Sequence, residues 1–262
     1  MVLENLPIVS LDEDEEKVNL LVYGQPGVGK TVFAGSADRV LFIAPEDDGT
    51  ISAKRSGSKA DKYPIKKWEA LNTAYQALEE AGEEIRDRYD WIVIDSITEM
   101  QRMLMRTILA EGVADNPQRN PDVPEIQDWL IYQNRFLRFV NLYNSLPVNI
   151  LWTALVRSEE DADAETILVP DIQGKGYQMS MSVCSLMTSF GYMDIKRVPK
   201  KNKDGGVITN EEGEPETRDI RFITWENNGV VQGKDRTQTL APRTVNKNLQ
   251  QINDLIFGKD EK

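Results

Sequence analysis

The chain has 262 residues, 40% of them hydrophobic and 28% charged, with a formal net charge of −12. That is the make-up of an ordinary globule long enough to bury a sizeable core. It contains no histidine and a single cysteine, Cys184, which excludes imidazole acid–base chemistry, Cys/His zinc sites and an intrachain disulfide, and makes a reducing cytoplasm the expected setting.

Residues 1–17 read as an N-terminal surface arm, and residues 18–262 as one domain. The arm's Leu11-Asp12-Glu13-Asp14-Glu15-Glu16 is acidic, unlike a signal sequence, and no apolar run in the chain reaches membrane-spanning length. Val18, Leu20, Leu21, Val22 and Tyr23 predict a buried strand; Thr31, Val32, Phe33 and Ala34 open a helix. Between them, Gly24-Gln25-Pro26-Gly27-Val28-Gly29-Lys30-Thr31 fills every fixed position of the phosphate-loop pattern G-x-x-x-x-G-K-S/T. Glycines let such a backbone wrap around phosphate oxygens with its N–H groups inward, and the helix N-terminus adds partial positive charge. Lys30 would reach the β/γ-phosphates and the Thr31 hydroxyl would hold Mg²⁺. A chance match in a Gly-rich turn would lack the flanking strand and helix. The stretch is read as a nucleoside triphosphate site.

Val40 to Ala44 is a second buried run, ending at Pro45-Glu46-Asp47-Asp48-Gly49. Trp68, Leu71, Tyr75 and Leu78 recur at helical spacing. Tyr89 to Asp95 predicts a third strand, followed by a helix through Met100, Leu104 and Ile108, then a polar loop over 112–124. A long helix carries Ile126, Trp129, Leu130, Phe136, Leu137 and Val140, and Val148 to Leu155 predicts a fourth strand. Residues 157–182 show little periodicity and read as a mobile loop region. A β-hairpin is predicted over 194–225, with Lys200, Lys201 and Lys203 at a solvated tip, and a C-terminal helix over 244–257. Alternating strands and helices imply an α/β fold: a mostly parallel central sheet flanked by helices, with a C-terminal β-hairpin extension.

Hydrolysis needs a metal organiser and a group to position and deprotonate water. Asp95, ending an apolar strand, is the candidate metal carboxylate; the competing reading is a helix N-cap. Parallel neighbours end on one sheet edge, so its carboxylate would face Mg²⁺ near Thr31. The residue after it is Ser96, so the candidate base is Glu46, on the same edge, with Glu99 as the fallback. Asp47 and Asp48 share the charge of Glu46.

A glutamate after the strand between phosphate loop and metal carboxylate, together with Ile94-Asp95-Ser96, resembles the RecA-type ATPase core. It differs from the adjacent Asp-Glu of the AAA+ arrangement. From Val18 to Leu255 the layout resembles phage-encoded RecA-like ATPases of the AAA-type nucleotide-binding group, some of which are single-strand annealing recombinases. The resemblance implies a RecA-like core, ATP and Mg²⁺ as cofactors, and a homo-oligomer, ring or filament. It also implies single-stranded DNA as partner, with a single-strand-binding protein beside it. Lys234-Asp235-Arg236 resembles the K-x-R finger that reaches a neighbouring subunit's γ-phosphate. The family's γ-phosphate sensor, a glutamine in RecA, falls on Thr153. The loops that meet DNA fall on 157–182, where Gly174-Lys175-Gly176-Tyr177 offers Lys175 for phosphate and Tyr177 for stacking. Glu159, Glu160, Asp161 and Asp163 precede that tetrad and would repel a strand. The acidic net charge favours a second reading, a RecA-fold ATPase that drives or regulates a protein partner in packaging, helicase loading or a motor. A metabolic kinase fits less well, since no arginine-rich acceptor lid is evident.

Overall fold

Apolar runs without alternation become strands here because helices cover both faces of the sheet. The computed structural model describes residues 17–45, 49–202, 205–210 and 212–258. In chain order the elements are β1 (Asn19–Gly24), α1 (Lys30–Ala34), β2 (Val40–Pro45), α2 (Ile51–Arg55), β3 (Asp61–Ile65), α3 (Glu69–Ala81), α4 (Glu84–Arg88), β4 (Trp91–Ile94) and α5 (Ile97–Asp115). Then come α6 (Ile126–Ser145), β5 (Asn149–Glu160), β6 (Thr166–Pro170), α7 (Gln178–Ser185), β7 (Ser189–Pro199), β8 (Thr217–Thr224), β9 (Lys234–Asp235), β10 (Arg243–Val245) and α8 (Leu249–Ile256).

The strands lie in the order β10-β8-β7-β1-β5-β4-β2-β3, with β6 added to β5 and β9 to β7. From β7 across to β3 every pairing is parallel, while β6, β8, β9 and β10 attach antiparallel. This is the mostly parallel, helix-flanked α/β sheet expected from the sequence. Side chains alternate between two cores, as a pleated strand requires. Leu21, Tyr23, Ile92 and Ile94 pack with residues of α3, α5 and α6 on one face. Leu20, Val22, Trp91 and Val93 pack with Phe33 of α1 and Leu249, Ile252 and Ile256 of α8 on the other. Among the described residues no helix is long and apolar enough to cross a membrane.

Register decides what surrounds the phosphate loop. Gly24 at the end of β1 pairs with Leu155 of β5, and Tyr23 pairs with Tyr192 of β7. Both neighbours run on, β5 to Glu160 and β7 to Pro199. The loop therefore lies at the foot of a trough walled by the β5–β6 and β7–β8 hairpins.

Several expectations are corrected. Residues 157–182 contain the end of β5, all of β6 and the start of α7 rather than a loop. Ile167 and Val169 of β6 are buried, and that alternation is what an acidic hairpin connection concealed. Helix α5 continues to Asp115, into the stretch expected to be loop. In the 244–257 stretch the helix begins only at Leu249, because Arg243–Val245 pairs with β8. Helix α6 buries Tyr132, Phe136, Phe139, Val140 and Tyr143, leaving Ile126 and Leu130 facing solvent. Of the N-terminal arm, residues 1–16 lie outside the described residues.

Candidate nucleotide site

Gly24 to Thr31 form the turn from β1 into α1. A side chain at Gly24 would collide with the Met193 carbonyl oxygen of β7, so only glycine lets β1 end that close to its neighbour. Gly29 sits at φ 100°, a left-handed conformation that swings the chain into α1. Gln25, Pro26 and Gly27 are exposed on the crest, while Val28 is buried beneath it. Helix α1 is only five residues long, so its dipole adds less than the sequence suggested, and backbone N–H groups and Lys30 must supply most of the attraction for an anion.

Lys30 is nearly buried, and its ammonium donates to the carbonyl oxygens of Gly24 (2.8 Å) and Gln25 (2.9 Å). Burial depresses it to about 8, with Asp95 pulling the other way. The Thr31 hydroxyl donates to Asp95 Oδ2 at 2.8 Å, and the Thr153 hydroxyl donates to Asp95 Oδ1 at 2.5 Å. Burial pushes the Asp95 carboxyl upward, opposed by those two hydroxyls and by the Lys30 and Lys62 ammonium groups.

Asp95 reaches Thr31 although its strand is not a neighbour of β1; β5 lies between β1 and β4, with Thr153 in register with Val22. The Asp95 carboxylate itself spans the gap, and the interposed strand supplies Thr153, which holds its other oxygen. The N-cap of α5 is Ser96, and Asp95 spends its oxygens on Thr31 and Thr153, which removes the capping alternative. A hydroxyl beside an ionisable carboxylate is a hard-oxygen donor set. It fits Mg²⁺, which takes one or two protein oxygens and completes its shell with phosphate and water.

Glu46 lies outside the described residues. Strand β2 ends at Pro45, and the Asp95 N–H donates to Ile43 of that strand at 3.2 Å. Glu99, in the first turn of α5, is paired with Arg102 at 2.5 Å. Lys175 is exposed and Tyr177 half-buried, on the sheet edge where the phosphate loop lies; Arg157 of β5 donates to the Gly176 carbonyl at 2.6 Å. Lys234 and Arg236 are elsewhere. Strand β9 pairs with Ser189 and Phe190, level with Leu20 and Leu21, at the opposite edge of the sheet. There the Lys234 ammonium donates to Cys184 O and Arg236 to Ser185 O, both at 3.3 Å. Neither cation serves this chain's own phosphate loop.

Two groups of residues escaped the sequence reading. Thr98 and Gln101 are fully buried on α5. Both donate to the Asp171 carbonyl, and the Gln101 amide oxygen accepts from the Tyr132 hydroxyl (2.8 Å) and the Gln173 N–H (2.7 Å). The available signal was polar residues three apart on the apolar face of Ile97, Met100 and Leu104. Arg221 of β8 donates from Nε to the Val28 carbonyl at 3.2 Å. Nothing local in the hairpin sequence marks it.

A family model described as an AAA domain matches residues 16–237. No curated protein matches the chain. Among solved structures, a prototypical ATPase from the type III secretion system of pathogenic bacteria is similar at 15% identity and a TM-score of 0.44, over 68% of this chain and 52% of that one. This chain thus spans about half the length of that neighbour. The match to the AAA domain extends over most of the chain, and the chain belongs to that family.

Proposed function

We propose that this AAA domain protein is a Mg²⁺-dependent ATPase. The observation that carries the reading is the chain of contacts from Thr31 through Asp95 to Thr153, built across three strands beside Lys30. The loop N–H groups bind the phosphates, and Lys30 leaves the Gly24 and Gln25 carbonyls for phosphate oxygens. Thr31 and Asp95 would hold the metal, which neutralises charge on the β- and γ-phosphates when bound. Glu46 is the proposed base: it orients the attacking water and accepts its proton as the γ-phosphoryl group leaves ADP. Phosphate release should require Mg²⁺, collapse in Lys30→Ala, and slow greatly in Glu46→Gln with ATP still bound. Retained turnover in Lys30→Ala would reject the site; slowing in Glu99→Gln instead would move the base.

For the effector we propose single-stranded DNA, in recombination or annealing by a homo-oligomer. Lys175 and Tyr177 stand on the sheet edge of the phosphate loop, and Gln101 ties the helix that follows Asp95 to Gln173, next to their tetrad. Lys234 and Arg236, remote from the loop in their own chain, would act on the nucleotide of a neighbouring copy, so Arg236→Ala should slow only assembled protein. One observation favours a protein partner instead: Glu159, Glu160, Asp161, Asp163 and Glu165 crowd the β5–β6 hairpin on that same edge. ATP turnover with and without single-stranded DNA across salt concentration separates the two. Stimulation that fades as salt rises supports DNA; an unchanged rate supports the protein partner.

A further inference from the structure

Arg221 is distant from the phosphate loop in sequence and laid against it in space. Alternation along β8 puts Arg221 and Ile223 on one face. Ile223 is buried in the same core cluster as Val28, Phe33 and Met193. One step further out, Arg221 clears that core, and its Nε donates to the Val28 carbonyl. A Cβ placed on Gly29 would stand 2.9 Å from the same Nε, so the guanidinium lies over the residue before Lys30. The β8 backbone is fixed at this point from both sides. Arg221 pairs with Ile195 of β7. Its N–H donates to Asn246 Oδ1 (2.8 Å) and its carbonyl accepts from the Asn246 N–H (2.7 Å).

Arg221 is exposed, and among the described residues Val28 is its one side-chain hydrogen-bond partner, with no carboxylate paired to it. A guanidinium carries five donors in a planar fork suited to phosphate oxygens. Here one donor is used and the rest are open at the wall of a phosphate loop. Strand order sets them apart from the group around Asp95. The Thr31–Asp95–Thr153 group lies on the β5 and β4 side of β1, where the terminal phosphate belongs, and β8 approaches from the β7 side.

We infer that Arg221 is a nucleotide-binding residue that grips the α-phosphate end of the bound nucleotide from the β7–β8 wall. The inference rests on the nucleotide reading above. It separates Arg221 from the groups at the terminal phosphate: its contribution is common to di- and triphosphate.

The test is calorimetric binding of ADP and of a non-hydrolysable ATP analogue to wild type, Arg221→Gln and Arg221→Lys. Arg221→Gln should weaken both ligands by the same factor, about tenfold for a charged hydrogen-bonding group. Arg221→Lys should recover part of the loss, and the gap to wild type should narrow as salt rises. Melting of the nucleotide-free variants checks the fold, and Arg221→Lys, which keeps the charge and the stem, carries the test if Arg221→Gln unfolds. Equal affinities in variant and wild type would overturn the inference, as would a loss confined to the triphosphate. If wild type binds neither ligand, the nucleotide reading fails and this inference with it.

Discussion

The two strands beside β1 both run past the phosphate loop, and they bring different chemistry to it. Strand β5 brings Thr153, fully buried, whose hydroxyl fixes one oxygen of Asp95 while Thr31 fixes the other. The β7–β8 wall brings Met193, whose carbonyl allows nothing larger than glycine at position 24, and Arg221, whose guanidinium stays in solvent. One flank is the drier and positions a half-buried carboxylate on a buried hydroxyl; the other is the wetter and presents an exposed cation. Preorganised dipoles are worth most where water is excluded, so the proposed hydrolysis places its bond-breaking end on the β5 side. On the wet flank a charge is screened and can tune affinity only modestly.

Substitutions on the two flanks should therefore differ in kind. Asp95→Asn should lower phosphate release at least about 100-fold, the scale of losing one preorganised electrostatic group, and should blunt its response to Mg²⁺ titration. A rate within a few-fold of wild type would mean the dry flank is not where the chemistry occurs. Thr153→Val keeps the shape and removes the donor; turnover should fall about tenfold, consistent with a hydrogen bond to a charged group. On the other flank, Gly24→Ala forces β1 away from the Met193 carbonyl and should cost about 1–3 kcal/mol of stability, read as a shift in the urea midpoint at unchanged slope.

The smallest effect sits at the far end of β7. Burial would raise the Asp235 carboxyl, but hydrogen bonds from the Ser189 and Thr237 hydroxyls and the Leu240 and Thr237 N–H groups outweigh it and hold the group below its usual value. A carboxyl depressed in the folded state stabilises above the unfolded pKa of about 4 and loses that contribution as pH falls through the folded value. Wild type should exceed Asp235→Asn in stability at neutral pH, with the gap closing in acid. A gap independent of pH would show that packing of β9, not charge, is responsible.

How much of this could be read from sequence followed the range of the contacts involved. The phosphate loop is local: glycines, Lys30 and Thr31 act within one turn between two elements, so their spacing was sufficient. Strands β1, β2 and β4 were evident because burial on both faces makes them uninterrupted apolar runs. Asp95 is evident as a carboxylate at a strand end, but its reach to Thr31 past the interposed β5 depends on strand order, which spacing does not encode. Thr153 stands out in the sequence only through the family resemblance, and its contact is with Asp95. Strand β6 is a five-residue run that acidic neighbours disguised. Arg221 was out of reach, because its partner Val28 is 193 residues away along the chain.

Gln101 has a mechanical consequence. Its fully buried side chain spends both ends at once, the amide nitrogen on Asp171 and the oxygen on Tyr132 and Gln173. Helix α5 starts immediately after Ser96, so any shift of Asp95 that moves the helix must drag residues 171–173 with it or strand buried polar atoms, a heavy penalty in a dry interior. The helix and the segment leading to Gly174 are thus geared together, with Gln101 as the tooth of the gear.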